Sequence, residues 1–486
     1  MHNAALWSLA DLRQLEVVAA QRGIHLMQQA AQATVDWVEQ HVAQGARILV
    51  AAGPGNNGGD ALVAAVLLMQ QGYQVDVLLP QPPLSTEACE ALQTLRQAGG
   101  LPLQQLSVDY SSPALLIDGL FGIGLNRPLD DFWCQLINQL NQLSCPTLAL
   151  DCPSGLNAYT GQAPSACIKA SHTLTFLCHK PGLFYAAGAN HAGQVECAPL
   201  DYPAELQPVA AGYLNRQDAR MLRRKPDSHK GSHGTVSIVG GCPGMSGAVL
   251  LAGRAALAGG AGKVHVLSLD PRLVVDTAFA ELMLHGDAQP ANQPACDVLA
   301  VGPGLGQSVQ AVQWLQQSLG SPLPLVLDAD ALNLLAADTS LQKHLRQRKA
   351  ATIITPHPAE AARLLACTTA DIQANRLEAA QQLAATLNAV VVLKGAGSLI
   401  CAPRQPYYLN TSGGPALAVA GQGDVLTGLI AALLAQGMPA LDASCLAVRV
   451  HGLAGDQYQQ EAGGPIGLTA SATALRCSAI LNRLSS

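Results

Sequence analysis

The densest group of chemically capable residues in the first half of the chain is Gly53-Pro-Gly-Asn-Asn-Gly-Gly-Asp60. A glycine-rich segment before a helix lets backbone N–H groups approach an anion, and the helix N-terminus favours its negative charge. Glycines alone are equally typical of an ordinary strand-to-helix turn. Asn56 and Asn57 add amide oxygens that a turn does not need, and neutral oxygens suit a weakly charged cation or a ligand hydroxyl. The segment therefore predicts a ligand site.

Two further segments of the first half carry an aspartate directly after an apolar run. They are Asp118-Gly-Leu-Phe-Gly-Ile-Gly124 and Asp151-Cys-Pro-Ser-Gly155. Ligands of an open parallel sheet gather beyond the carboxyl ends of its strands, so we expect both segments to converge with residues 53–60. A lone aspartate after a strand is more often a turn or helix cap. Three coincident segments favour a site over three separate caps.

A second glycine-rich signal lies near the end of the chain, where residues 413–424 finish with Gly421-Gln-Gly-Asp424 and an apolar helix is expected over residues 425–436. A Gly-x-Gly-Asp turn at a helix N-terminus aims backbone N–H groups at phosphate oxygens, with a carboxylate beside them to take a proton. The simpler alternative is a helix start capped by Asp424. The pattern favours a phosphoryl-transfer site.

Four more segments of the second half combine glycine or proline with polar residues after an apolar run. They are residues 240–248, 302–306, 355–360 and 394–398. Since the ends of parallel strands share one edge of a sheet, we expect these segments to build one pocket. His357, between two prolines, either packs within a turn or is held rigidly toward a ligand.

The elements that must position these motifs predict an α/β fold with two domains. Apolar runs at residues 47–52, 74–79, 114–117 and 146–150 alternate with helical stretches in the first half, and runs at residues 235–239, 263–267, 297–301, 323–327, 352–354 and 389–393 do so in the second. This alternation is typical of parallel sheets covered on both faces. Composition shifts over residues 201–233, and we predict domains at residues 1–215 and 216–486.

Composition narrows the class of protein. Of 486 residues 49% are apolar and 12% are charged, which indicates globular domains, and a net charge of -6 opposes nucleic-acid binding. The basic run at residues 220–230 is interpreted as a solvated linker. No secretion signal is evident, and the longest apolar runs fall short of the roughly 18 residues that a membrane span needs. Thirteen cysteines without a CxxC pair fit reduced core thiols, and we expect a soluble cytoplasmic protein. The spacing of His229 and His233 does not predict a metal site.

Together with His179-Lys-Pro-Gly182, the first-half motifs resemble those of the NAD(P)H-hydrate epimerases over roughly residues 1–215, which implies a Rossmann-like parallel sheet. The resemblance implies that Asp151 is the general base for epimerisation of the hydrated nicotinamide ring. The implied substrate-binding residues are Asn56, Asn57, Gly58, Gly59, Asp60, Gly122, Ile123, Gly124, Leu125, Asn126, Arg127, Pro128 and Asp151. A potassium ion is implied at Asn57, Asp118 and Ser154. Ala61 departs from the family, which usually has glycine there, but leaves the ligating side chains intact.

The second-half motifs resemble those of the ADP- or ATP-dependent NAD(P)H-hydrate dehydratases, which are ribokinase-like, over about residues 225–486. The resemblance implies that Asp424 is the base in a phosphorylation of the ring hydroxyl, followed by loss of phosphate. The hydrate would contact Ala248, Gly304, Gly306, His357 and Asp424. The adenine nucleotide would be held by Lys394, Gly395, Ala396, Gly397, Ser398 and Gly423. Asp328 and Asp330 are either related to magnesium binding or strand-end caps.

Both halves on one chain resemble the bifunctional NAD(P)H-hydrate repair enzymes. That family interconverts the R and S forms of NADHX and NADPHX and dehydrates the S form to NADH or NADPH with ADP, giving AMP and phosphate; the residues leave ADP and ATP open. We expect potassium and magnesium as cofactors, small-molecule substrates and a homo-oligomer, with no nucleic-acid or membrane partner.

Two other functions compete with this interpretation. One is a ribokinase-like small-molecule kinase with a nucleotide-binding N-terminal domain. Against it stand the His-Pro-Ala-Glu segment at residues 357–360, where sugar kinases tend to carry Asn-x-x-Glu, and the fused first half. The other is a first half that only binds nucleotides or forms oligomers, and the intact residues Asn57, Asp118, Asp151 and Ser154 count against it.

Overall fold

The computed structural model describes residues 4–107, 109–125 and 127–486. The chain forms two compact units, residues 1–212 and residues 213–486. None of the helices within the described ranges has both the length and the apolar character needed to cross a membrane.

The first unit is built on a fully parallel sheet. The strands of this sheet are β2 (Arg47–Ala52), β3 (Gln74–Leu78), β4 (Leu115–Gly119), β5 (Thr147–Leu150), β6 (His172–Phe176) and β7 (Gln194–Ala198), and the short strand β1 (Ala5–Leu6) lies outside it. Its helices are α1 (Leu9–Gln21), α2 (Leu26–His41), α3 (Asn56–Gln70), α4 (Thr86–Gln97), α5 (Asp131–Leu140) and α6 (Gly188–His191). Six strands pair in the order β3-β2-β4-β5-β6-β7, and every pair is parallel.

Helices cover both faces of this sheet, as the continuous apolar strands predict. Alternate residues of β2 point to opposite faces. Ile48 and Val50 pack with residues of α2 and α3, whereas Leu49 packs with Trp133 of α5. The sheet is therefore buried on both sides, and ligands can reach it only at the strand ends.

The second unit has a larger, mixed sheet. After β8 (Gly212–Leu214) at the boundary, its strands are β9 (Thr235–Gly240), β10 (Lys263–Ser268), β11 (Met283–His285), β12 (Val298–Val301), β13 (Leu325–Leu327), β14 (Thr352–Ile354), β15 (Val390–Leu393), β16 (Leu399–Cys401) and β17 (Tyr407–Leu409). The order is β17-β16-β15-β14-β13-β12-β9-β10-β11. In this order, each neighbouring pair of strands from β15 through to β11 is parallel. The pairs β15–β16 and β16–β17 are antiparallel.

Ten helices flank this sheet in the described part of the second unit. They are α7 (Ser246–Ala258), α8 (Val309–Gly320), α9 (Asp330–Ala337), α10 (Thr339–Arg346), α11 (Pro358–Leu365), α12 (Thr369–Ala374), α13 (Arg376–Leu387), α14 (Gln422–Ala435), α15 (Ala440–Ala462) and α16 (Ala470–Ser485). Most residues of α14 are buried, because it packs between other helices and the sheet.

The predicted fold class, two α/β domains with parallel sheets, is confirmed, and all ten predicted strands are present. The antiparallel β16 and β17 were not predicted. Only five residues separate them, and so short a connection cannot hold the crossover helix that a parallel pair requires.

Two local predictions are wrong. Helix α3 begins at Asn56, so the asparagines and glycines occupy its first turns rather than a loop before it. A Cβ atom on Gly58 would collide with the carbonyl of Gly53, so this glycine permits close packing within the helix start. The basic run at residues 220–230 is solvated, as predicted, but it is not a linker: it lies within the second unit, where Arg223 and Arg224 donate hydrogen bonds to the carbonyls of Ser485 and Gly260.

All thirteen cysteines are free thiols. Six of them are buried, three in each unit: Cys152, Cys167 and Cys178 in the first, and Cys401, Cys445 and Cys477 in the second.

Candidate active sites

Asp118, at the end of β4, forms a closed unit with Ser154. Asp118 is fully buried, and its Oδ1 accepts a hydrogen bond of 2.6 Å from Ser154 Oγ while its Oδ2 accepts one of 2.8 Å from Ser154 N. Burial raises the pKa of Asp118 to about 6, although the hydrogen bonds from Ser154 oppose the rise. The predicted neighbours Asp118 and Ser154 are thus in direct contact.

Asn57 lies beside them in the first turn of α3. Its Nδ2 donates to the carbonyl of Leu150 at 3.2 Å, and its Oδ1 is buried with no hydrogen-bond partner among the described residues. A Cβ atom on Gly122 would lie 3.3 Å from Asn57 Cγ and 3.4 Å from Asp151 Oδ2. The absence of a side chain at Gly122 lets the three strand ends meet, as predicted.

Asp151, just after β5, is held by a buried lysine. Lys180 Nζ donates to Asp151 Oδ1 at 2.5 Å, to the carbonyl of Phe176 at 2.6 Å and to Thr175 Oγ1 at 2.9 Å. Burial is the largest single effect and lowers the pKa of Lys180, but the charge of Asp151, its hydrogen bond and the neighbouring Cys178 and Cys197 together outweigh it, so the net pKa is raised. All three ammonium hydrogens are engaged, and Asp151 Oδ2 remains on the side of Gly122.

Two more carboxyl groups lie in the electrostatic field of Asp151. Burial, followed by the charge of Asp151, raises the pKa of Glu16 and raises that of Asp60 well above its usual value. Asp60 was a predicted ligand residue, whereas Glu16 of α1 was missed because an acidic residue on an amphipathic helix carries no sequence signal. Lys180 belongs to the motif at residues 179–182, which does not predict its partner, and the partner is evident only once β6 places Lys180 beside Asp151.

The predicted segment at residues 122–128 connects β4 to α5. Its members Gly122, Ile123, Gly124, Leu125, Arg127 and Pro128 are described, whereas Asn126 lies outside the described residues. A Cβ atom on Gly122 would reach Asp151, whereas a Cβ atom on Gly124 would meet open space.

In the second unit, Gly423 and Asp424 occupy the first turn of α14. The N-cap is Gly421, in the left-handed region at a φ of 86°, so Asp424 is not the cap. Burial and, next, the charge of Asp328 raise the pKa of Asp424 to about 7, against the opposing positive charge of Lys394.

Lys394 links the end of β15 to the end of β13. Its Nζ donates to Asp328 Oδ1 at 2.7 Å, and Thr427 Oγ1 donates to Asp328 Oδ2 at 2.9 Å. A Cβ atom on Gly423 would lie 3.3 Å from Lys394 Nζ and 3.5 Å from Asp328 Oδ2. Lys394, Gly423 and Asp328 are therefore in contact, whereas sequence reasoning missed Thr427.

His357 caps helix α11. Its Nδ1 accepts hydrogen bonds from Ala359 N at 3.1 Å and Glu360 N at 3.3 Å, and its Nε2 lies 3.3 Å from Glu360 Oε1. Burial and the positive charge of Lys394 lower the pKa of His357. The imidazole is therefore neutral at physiological pH, with its proton on Nε2, because Nδ1 acts as the acceptor. Glu360 also lies 3.9 Å from Lys394 Nζ, which ties His357 to the lysine group.

A second group of predicted residues lies on the segments after β9, β12 and β13. Gly306 N donates to Asp330 Oδ2 at 2.8 Å, and a Cβ atom on Gly304 would lie 3.2 Å from Ala248 Cβ. The predicted Ala248, Gly304 and Gly306 thus come together. Ala329, between the two aspartates, has φ 49° and ψ -119°, a conformation that side chains rarely adopt.

The segment at residues 394–398 turns sharply after β15. Gly395 has a φ of 142°, and a Cβ atom there would meet the guanidinium of Arg376 at 2.9 Å. Arg376 donates to the carbonyl of Lys394 at 3.2 Å, and Ser398 Oγ donates to the carbonyl of Gly395 at 3.0 Å. Ala396 is exposed on this turn, which leads into β16 through Gly397 and Ser398.

The fold and the two lysine-carboxylate centres define a two-domain α/β enzyme. Residues 236–477 match the family model described as NAD(P)H-hydrate dehydratase, and residues 23–182 match that of the YjeF-related protein N-terminus. The chain is 36% identical to the bifunctional NAD(P)H-hydrate repair enzyme of Moorella thermoacetica, over 94% of this chain and 93% of the relative, and 37% identical to that of Escherichia coli, over 93% and 89%. It belongs to the family of bifunctional NAD(P)H-hydrate repair enzymes.

Among solved structures, the chain is similar to the ADP/ATP-dependent NAD(P)H-hydrate dehydratase from Bacillus subtilis, with a TM-score of 0.48 and 30% identity, covering 54% of this chain and 94% of that chain. The predicted family and its enzymatic character are confirmed by the relatives that match nearly the whole chain. The contacts of individual residues with ligands stay predictions.

Proposed function

We propose that residues 1–215 interconvert the R and S forms of NADHX and NADPHX, and that residues 216–486 dehydrate the S form with ADP. One observation carries the proposal: each unit has its own centre at the carboxyl ends of its strands, Asp151 with Lys180 and Asp424 with Lys394 and Asp328. Two separate centres suit two separate reactions on one substrate.

In the epimerase, Asp151 acts as the general base. Its Oδ1 is occupied by Lys180, Thr175 and the backbone of Phe176, so Oδ2 is the oxygen available to the ligand. Return of the ring hydroxyl from water requires a proton acceptor in a fixed position, and its loss requires that proton back; the three donors on Oδ1 fix the carboxylate. The proposed nucleotide ligands are Asn56 to Asp60 at the start of α3 and residues 122–128.

In the dehydratase, Asp424 removes the proton from the ring hydroxyl as the terminal phosphoryl group of the nucleotide is transferred to it. Hydroxide is a poor leaving group, whereas the phosphate ester formed in this way loses phosphate readily, and loss of a proton from the neighbouring ring carbon restores the nicotinamide double bond. The Gly423 amide at the start of α14 and the Lys394 ammonium stabilise the charge on the transferred group. Gly395, Ala396, Gly397 and Ser398 hold the nucleotide; Ala248, Gly304, Gly306 and His357 contact the hydrate.

Magnesium would enter this site with the nucleotide phosphates and neutralise their charge. Asp328 has both carboxylate oxygens engaged by Lys394 and Thr427. Asp330 has Oδ2 engaged by Gly306, but its Oδ1 has only a contact of 3.4 Å with Asn333. Asp330 is therefore the better of the two candidate carboxylates for a hydrated magnesium ion.

The first unit also fits a potassium ion. The donor set of Asn57, Asp118 and Ser154 is mostly neutral oxygen, which suits a monovalent cation. The buried and unpartnered Oδ1 of Asn57 needs such a neighbour, since a buried polar atom without a partner is costly. Potassium bound there would hold the start of α3 against the end of β4.

The central test supplies purified protein with mixed R and S hydrates, ADP or ATP, and magnesium, and follows the recovery of the reduced cofactor from each form. We expect Asp424→Asn to lower dehydration by roughly 10²- to 10⁴-fold with epimerisation intact, because it removes only the second base. The Asp151→Asn variant should still dehydrate the S form, but the R form should remain because it is no longer epimerised. Loss of both activities in either well-folded variant would contradict the two-site proposal.

The potassium proposal predicts that Asn57→Ala loses the dependence of epimerisation on potassium. The variant should show no rise in thermal stability of the first unit when potassium replaces a bulky organic cation, because the oxygen ligand is gone. Gln70→Ala, at the exposed end of the same helix, is the matched control and should respond like the parent. An unchanged potassium response in Asn57→Ala would overturn the assignment.

A further inference from the structure

One side chain anchors the start of α14 to two other helices. Gln422, the first residue of α14, is buried; its Nε2 donates to Thr473 Oγ1 of α16 at 2.9 Å, and its Oε1 lies 2.9 Å from His451 Nε2 of α15. The contact therefore joins three helices just before Gly423 and Asp424.

The direction of these hydrogen bonds follows from the groups available. Thr473 donates its own hydroxyl to the carbonyl of Thr469 at 3.2 Å, so it accepts from Gln422. Gln422 then presents its oxygen to His451, and His451 Nε2 must carry the hydrogen. Burial and the positive charge of Lys394 lower the pKa of His451 to about 4, so the imidazole is neutral at physiological pH and its Nε2–H remains a fixed donor.

The backbone beside this contact has little freedom. Gly421 is in the left-handed region, and a Cβ atom there would lie 2.6 Å from Leu251 Cδ1 and 3.0 Å from Ala470 Cβ. Donors and a base act on a transition state only if they are held in the reactive geometry beforehand. Contacts that fix the first turn of α14 would therefore contribute to the reaction rate as well as to stability.

We propose that His451 and Gln422 are a positioning pair for the dehydratase, which orients the first turn of α14 so that the Gly423 amide and the Asp424 carboxylate face the nucleotide and the ring hydroxyl together. This inference rests on the proposed function of the second unit. Neither side chain is assigned a contact with the substrate; both act through α14.

The test uses the full chain with the S hydrate, ADP and magnesium. We expect His451→Leu and Gln422→Leu each to lower kcat for dehydration by roughly ten- to hundred-fold, as for a misplacement of reacting groups, with KM for ADP changed less than kcat. His451→Gln, which can present an N–H to the same oxygen, should recover most of the loss. The double variant should be no slower than the slower single variant, because each substitution removes the same hydrogen bond between His451 and Gln422.

Epimerisation by the same preparations is an internal control, and His344→Leu, at an exposed position of α10, is the matched substitution. If His451→Leu unfolds the second unit, the comparison moves to His451→Gln against His451→Asn, whose shorter side chain should not rescue. Folded single variants with kcat within twofold of the parent would overturn the positioning pair. Retention of dehydration in Asp424→Asn would instead overturn the proposed function.

Discussion

At the scale of single residues, Asp424 combines two properties of a useful base. It is largely removed from water, and it stands near both an aspartate and a lysine, with the result that its pKa is raised to about 7. A base whose pKa lies near the working pH is partly ionised and still basic enough to accept a proton. Asp424 also follows Gly423 in the first turn of α14, where the backbone N–H groups have no partner within the helix.

This pKa predicts the pH dependence of dehydration. Below about 7 the carboxyl is protonated and cannot accept a proton, so kcat/KM for the S hydrate should fall roughly tenfold per pH unit, and it should level off above that value. The measurement is a pH profile on the pure S form, with nucleotide and magnesium saturating. A profile that is flat from roughly pH 5.5 to 8 would contradict Asp424 as the base.

Asp118, Asp151 and Asp328 were predictable because each follows an apolar run, and the end of a parallel strand is where ligands bind, whereas Asp424 was predictable from the Gly-x-Gly-Asp pattern at a helix start. Their partners were not. Lys180 reaches Asp151 across 29 residues, and Lys394 reaches Asp328 across 66, because the order of the strands brings these ends together. Nothing local in the sequence specifies that order.

At the scale of elements, the short link between β13 and α9 carries backbone strain. Ala329 holds the carboxylate of Asp328 toward Lys394 and that of Asp330 toward Gly306. Its φ of 49° with ψ of -119° is a conformation that only glycine adopts without cost. The strained backbone at Ala329 lets the carboxylates of Asp328 and Asp330 point in different directions.

This strain predicts that Ala329→Gly stabilises the second unit. Relief of about 1–3 kcal/mol exceeds the roughly 0.5–1 kcal/mol lost to the greater freedom of unfolded glycine, so a net gain of about 1 kcal/mol is expected in chemical denaturation. Ala336→Gly, inside α9, is the matched control and should destabilise by about 0.5–1 kcal/mol. Equal destabilisation by both substitutions would show that Ala329 is not strained.

Elements were predicted well where burial alone decides them. Strand β2 has the predicted bounds of Arg47–Ala52, because a strand buried on both faces must be continuously apolar. The start of α3 was misplaced because glycine at positions 58 and 59 is typical of a turn, and only tertiary packing explains it inside a helix. The hairpin of β16 and β17 was not predicted, because the segment directly before it, residues 394–398, is predicted to bind ligand.

At the scale of the whole molecule, each unit has its own sheet, its own core and its own carboxylate centre. The hydrate formed or consumed at one centre is a small molecule that can diffuse. We therefore expect the two activities to be separable between molecules as well as within one chain.

Mixing Asp151→Asn with Asp424→Asn should restore complete conversion of the R hydrate. The first variant supplies the dehydratase and the second supplies the epimerase, so the mixture should approach the parent rate once both are in excess of substrate. The measurement follows the reduced cofactor from pure R hydrate, with each variant alone as the control. Failure of the mixture to exceed either variant alone would mean that the substrate must pass between the centres of one chain.

The buried thiols add a consequence for studying how the molecule opens. A bulky alkylating reagent reaches Cys152, Cys167 and Cys178 only when the first core loosens, and Cys401, Cys445 and Cys477 only when the second does. The mass added to peptides from each set would thus time the melting of the two cores separately within a single chain, without any label being introduced.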